Sequence, residues 1–151
     1  MITPRETVRT AFFDVLTAAF TQNGDPEVVK YRPFIGGVPQ NSISFQLVAG
    51  TNQSPGLGRR VSSTQSGMWE RYRIQIDIFN PYSYEAAGQI ADRVEQAIIL
   101  ALNTFRSSYG VVDIRKIVDM DSGPTDPAEN LAHSILDYSC MIEATNTDPS
   151  P

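Results

Sequence analysis

The hydrophobic positions from Met68 to Phe105 follow two periods, and the change falls at Asn80-Pro81. Upstream, Met68, Tyr72, Ile74, Ile76 and Ile78 share one side of a strand ending near Phe79, while Trp69, Arg71, Arg73, Gln75 and Asp77 share the other. Downstream, Ala87, Ile90, Ala91, Val94, Ala97, Ile98, Ala101, Leu102 and Phe105 recur at helical spacing. That stripe predicts one helix, capped by Ser83, with Glu85 in its first turn and Gly110 at its end.

A second helix is predicted at the N-terminus. Thr3 is its cap, Pro4 suits the first helical position and Glu6 completes a capping box, ahead of an apolar stripe at Val8, Phe12, Val15, Leu16 and Ala19. Asn23 to Pro26 supply the stop. The prolines and Gly36-Gly37 of the next segment allow at most a short edge strand and a turn. Ile43, Phe45, Leu47 and Ala49 then alternate as a strand. Residues 50–67 are polar and rich in Gly and Ser, with Arg59 and Arg60 as their only charges, and predict a flexible loop at the tip of a hairpin formed by 43–49 and 68–79. After the second helix come a strand from Val111, an Asp- and Pro-rich turn, and a last strand. There Leu136, Tyr138, Cys140 and Ile142 take one side and His133, Asp137, Ser139 and Glu143 the other.

These elements predict an α+β fold of order α-β-β-α-β-β. One mostly antiparallel sheet carries two helices on one face, a long protruding β-hairpin arm, and a second face left to solvent or partners. Residues 1–144 are expected to form a single domain, with 50–67 as a flexible arm loop and 145–151 as a disordered tail.

Composition adds limits. The chain has 151 residues, 41% of them hydrophobic, and a formal charge of −5, which disfavours a clamp on nucleic-acid phosphates. No apolar run reaches the length of a membrane span and no signal-peptide layout opens the chain, so an intracellular soluble protein is expected. The charge is split: residues 1–118 hold 12 basic and 10 acidic side chains, and residues 119–151 hold seven acids and no Lys or Arg. Such a split suits head-to-tail contact between copies, or simply an acidic tail and a solvated loop.

Catalytic chemistry is sparse. The single Cys140 rules out an internal disulfide and reads as a buried hydrophobe. His133 could join Asp137 with Cys140 or Ser139, but alternation puts Cys140 on the opposite side, and a flat strand offers Ser139 no oxyanion hole. His133 is therefore expected at a surface or interface. Asp119, Asp121 and Asp126 resemble a calcium loop only loosely, because the glycine comes one position early and Asn130 stands where a bidentate Glu belongs. Residues 56–60, Gly-Leu-Gly-Arg-Arg, lack the Gly-Lys-Ser/Thr of a phosphate loop. Arg59, Arg60, Trp69, Arg71 and Arg73 are the candidate protein-interface residues, since Arg and Trp are enriched at interface hot spots. No catalytic, cofactor or metal residue is assigned, and no enzymatic activity is expected.

The segments RPFIGGVPQNSISFQL and QIDIFNPYSYEAAGQIADRV, with the long polar hairpin loop and the final hairpin, resemble the tail terminator, or tail completion, proteins of long-tailed phages and related tailed viruses. The resemblance covers residues 3–144. It implies a structural virion protein of the tail or neck, assembled in the host cytoplasm. Its ring, typically hexameric, caps the tail tube, ends tail polymerisation and offers the surface for head joining. The implied partners are further copies, the tail tube protein and a head-tail connector protein, with DNA only in transit through the channel and no membrane. The hairpin loop of such proteins reaches toward the tube or a neighbouring subunit. A head-completion or adaptor connector of the phage neck is the alternative, and a small metal-dependent enzyme using His133 and the Asp-rich turn is a reading of another class.

Overall fold

The computed structural model describes residues 3–32, 37, 39–53, 59–62, 65–122 and 131–147, without the side chains of 48–53, 59–62, 65–69, 122 and 143–147. Helix α1 spans Pro4–Ala19 and is followed by strands β1 (Glu27–Val29), β2 (Ser42–Gln53), β3 (Arg59–Ser62) and β4 (Gln65–Asn80). Helices α2 (Tyr84–Leu100) and α3 (Leu102–Tyr109) lead to β5 (Val111–Ser122) and β6 (Ala132–Thr147). The sheet order is β1-β2-β4-β6-β5, with β3 pairing on β4. Every ladder is antiparallel except β1 with β2.

The helix starts form as their caps dictate. Thr3 Oγ1 accepts from the Glu6 amide at 3.2 Å, and Ser83 Oγ accepts from the Ala86 amide at 3.0 Å. The Glu6 carboxylate, expected to close a capping box, instead accepts from the Tyr31 hydroxyl and faces Arg9. Gly110 ends α3 in the left-handed conformation at φ 68°.

All three helices bury their apolar stripes on one sheet face. Val8, Phe12 and Leu16 of α1, Ala87, Val94 and Ile98 of α2, and Phe105 of α3 meet Ile43, Phe45, Ile74, Ile76, Ile78, Leu136, Tyr138 and Cys140. Phe12 lies at the centre, its ring 4.8 Å from Phe105 and 6.1 Å from Tyr138.

The α+β class stands, and the element order is corrected at three places. The expected second helix is two, separated at Ala101 (φ −101°, ψ 9°). No Pro or Gly marks that break, so the unbroken apolar stripe hid it. The segment after α1 contributes β1, which runs parallel to β2 and therefore needs a crossover, residues 30–41. Residues 50–67, expected as a loop, hold the end of β2, all of β3 and the start of β4; 54–58, 63 and 64 lie outside the described residues. β6 likewise runs to Thr147, into the expected tail. Among the described residues no helix is long and apolar enough to cross a membrane.

Two outcomes follow from this core. Phe105→Ala removes a fully buried ring, and its urea midpoint should fall by the equivalent of about 3–5 kcal/mol. The Cys140 thiol is fully buried and burial pushes its pKa up to about 12. Labelling of Cys140 by a disulfide reagent at pH 8 should therefore follow the unfolding transition; fast labelling of folded protein would show that the core opens there.

Candidate interaction surface

The sheet face away from the helices carries the polar side of β4, and its chemistry is set by the β4–β6 register. Arg73 stands opposite Ser139 and Gln75 opposite Asp137, so arginine and aspartate meet along the diagonal. Arg73 donates through Nε to Asp137 Oδ2 at 3.0 Å, and its second nitrogen closes on the same oxygen. The Asp137 side chain is 3% exposed and that of Arg73 42%, so the pair is a buried carboxylate with its cation reaching out to water. Arg71 donates to Ser139 Oγ at 2.9 Å and to Asp113 Oδ2 at 3.1 Å on β5.

Asp113 is the one described non-glycine residue with positive φ, 54°, at a bulge between Val112 and Arg115. Aspartate tolerates this conformation better than most side chains, and here it turns its carboxylate between Arg71 and Arg115. The Arg71 hydrogen bond, then that of Arg115, holds its carboxyl below the usual aspartate value.

Toward the other end of β4 the face is closed. Asp77 is fully buried; its Oδ1 accepts from Gln75 at 2.8 Å and lies 2.8 Å from His133 Nε2. The His133 ring stacks on Phe79 at 4.3 Å, and Arg32 stands 5.3 Å over Phe79 with its NH1 3.7 Å from Asp77 Oδ2. Ser42 and Ser44 are also fully buried on this face.

The expectation of an open second face is thus corrected for its β2 end. Arg32 belongs to the crossover that the parallel β1–β2 ladder imposes, and the crossover lays it on Asp77 and Phe79. The expectation of an exposed His133 is corrected too: its side chain is 5% exposed, fixed by Asp77 and Phe79. Cys140 faces the helices, on the opposite side of β6 from His133. Ser139, six residues from His133 on the same strand and so roughly 20 Å away, is held by Arg71. These positions form no nucleophile-base pair.

Of the five interface candidates, Arg71 and Arg73 come together, and both are engaged within the chain. Arg59, Arg60 and Trp69 are placed by backbone register only, opposite Gly67, Ser66 and Glu143; their side chains lie outside the described residues. Of the three aspartates in the loose calcium pattern, Asp119 and Asp121 lie on β5 and not in a turn, where Asp119 takes Lys116 at 2.9 Å and Asp121 accepts from Ser134 at 2.8 Å, while Asp126 lies outside the described residues.

Two further arginines escaped the sequence reading. Arg9, 9% exposed, donates to the carbonyls of Lys30 (3.2 Å) and Phe45 (3.4 Å) and ties α1 to the sheet. Its place beside Val8 and Phe12 in the apolar stripe was the available signal. Arg93 grips Asp25 with two nitrogens at 2.9 and 3.2 Å over the Phe20 ring, joining α2 to the end of α1.

No protein-family model matches the chain, and no curated protein matches it in sequence. Among the described residues no group of three or more His, Cys, Asp or Glu is arranged to hold a metal ion.

The Asp113 carboxylate gives a pH test. A depressed folded pKa contributes stability that is present above the unfolded value, about 3.9, and is lost as pH falls through the lower folded value. Asp113→Asn keeps a side chain suited to positive φ but forfeits the charge. The variant should be less stable than wild type at pH 7, and the two urea midpoints should converge as the pH drops below about 4. A gap that stays constant from pH 7 to pH 3 would show that the carboxylate charge contributes nothing there.

Proposed function

We propose that this chain is a structural virion assembly protein of a tailed virus, a tail terminator and not an enzyme. Copies close into a ring, hexameric by the resemblance, that caps the tail tube, ends its polymerisation and presents the head-joining surface. Its place is the tail or neck of the virion. DNA passes through the channel in transit, an arrangement that a net charge of −5 suits because it gives no grip on phosphates.

The observation that carries this reading is the length of the strands about β4. Their ladders run on past Tyr72, which packs against the core, to Gln53↔Trp69 and Gln65↔Thr147. Seven residues from Tyr72 to Gln65 add roughly 23 Å of strand, and β3 pairs at the end of that extension. The reading takes it as the protruding arm, bearing Arg59, Arg60 and Trp69, with Arg71 and Arg73 at its root. The strand-to-helix junction at Asn80 serves as a rigid joint: Asn80 Oδ1 accepts from the amides of Tyr82 (2.8 Å) and Ser83 (3.3 Å), just before the cap of α2.

Purified protein mixed with the tail tube protein of the same virus should shorten and cap growing tubes, visible as rings at tube ends by negative-stain imaging. Arg59→Ala with Arg60→Ala should weaken capping while leaving the melting temperature unchanged. A protein that stays monomeric and leaves tube length unaltered would overturn the reading. Rings that bind portal-side connectors but never tubes would favour a head-completion adaptor.

A further inference from the structure

Two strand edges carry opposite charge. β5 ends the sheet, and among the described residues it pairs only with β6. Its first part is interrupted by bulges between Val112 and Arg115 and between Lys116 and Val118, whereas Val118 to Ser122 pair regularly with Asp137 to His133. This regular stretch carries Asp119 and Asp121 with the half-exposed Met120 between them. Lys116 faces Asp119, and among the described residues no cation pairs with Asp121. Beyond Lys116 the chain has no Lys or Arg at all. An extended segment added to this edge would satisfy free backbone groups, and to match the side chains it must be basic.

The chain holds such a segment. β3, Arg59–Ser62, pairs only with β4 among the described residues, and Arg59 and Arg60 are the only charges between Gly50 and Gly67. We propose that β3 of one copy adds as a strand to the Val118–Ser122 edge of the next, bringing its basic pair to the edge that carries Asp119 and Asp121. Successive arginines on a strand point to opposite faces, so one of them lies on the aspartate side and the other on the Met120 side. The two surfaces differ, so the contact is head-to-tail and can close a ring. It rests on the assembly reading above and names the two surfaces that meet.

The test is charge reversal in the full chain, with self-association followed by sedimentation velocity at low salt and by imaging in the presence of tubes. Arg59→Glu with Arg60→Glu, and separately Asp119→Lys with Asp121→Lys, should each weaken assembly about tenfold or more. An equimolar mixture of the two double variants should restore it, because each arm then meets an edge of opposite charge. The arm variant lies outside the helix-covered core and guards against loss of folding as the cause. Wild-type-like assembly of both variants, or no recovery on mixing, would overturn the contact while leaving a tube-capping ring intact. Failure of the wild-type chain to assemble with or without tubes would remove both readings.

Discussion

Slipping β6 by one residue along β4 would carry His133 and Asp137 beneath the helices and turn Leu136 and Tyr138 out to the opposite face. The register is held from both sides of the sheet at once. On one side the isoleucines meet the stripes of α1 and α2; on the other, Arg73 reaches Asp137 and Asp77 reaches His133 along the diagonals. Either set alone would favour this register. Together they penalise a one-residue slip twice, since a buried aspartate without its cation costs several kcal/mol on top of the burial lost. The position of the helices, the crossover and the β5 edge all derive from that pairing.

Much of the fold was legible because the local rules agreed. Thr3, Ser83 and Gly110 mark helix ends by hydrogen bonds and backbone angles that involve only near neighbours. Strand alternation assigned Ile74, Ile76 and Ile78 to the core and Cys140 to the side opposite His133, as found. What escaped depends on distant partners. The parallel β1 ladder is three residues long and lies next to prolines, so no periodicity could announce it. The bend at Ala101 sits in an unbroken stripe with no helix breaker.

The candidate surface was less legible, for a related reason. Polar residues on a strand read as exposed, yet Asp77, His133, Ser42 and Ser44 are buried, and Arg32, 45 residues from Asp77 in sequence, lies against its carboxylate. Arg71 and Arg73 read as free interface cations, and nothing near them in sequence reveals that Asp113, Asp137 and Ser139 wait across the ladder. Opposite-charge pairing across strands is a property of register, and register becomes known only when the sheet is assembled.

The bulges of β5 carry a consequence for the protein before it meets any partner. A long, regular edge would let one unassembled copy zip onto another without limit, the route by which sheets grow into insoluble stacks. With Asp113 turned into positive φ and Ile117 displaced at the second irregularity, the edge is cut into pieces. Only a strand of about five residues finds matching hydrogen-bond spacing there. The same kinks that shape the surface thus limit how much of the sheet an added strand can extend.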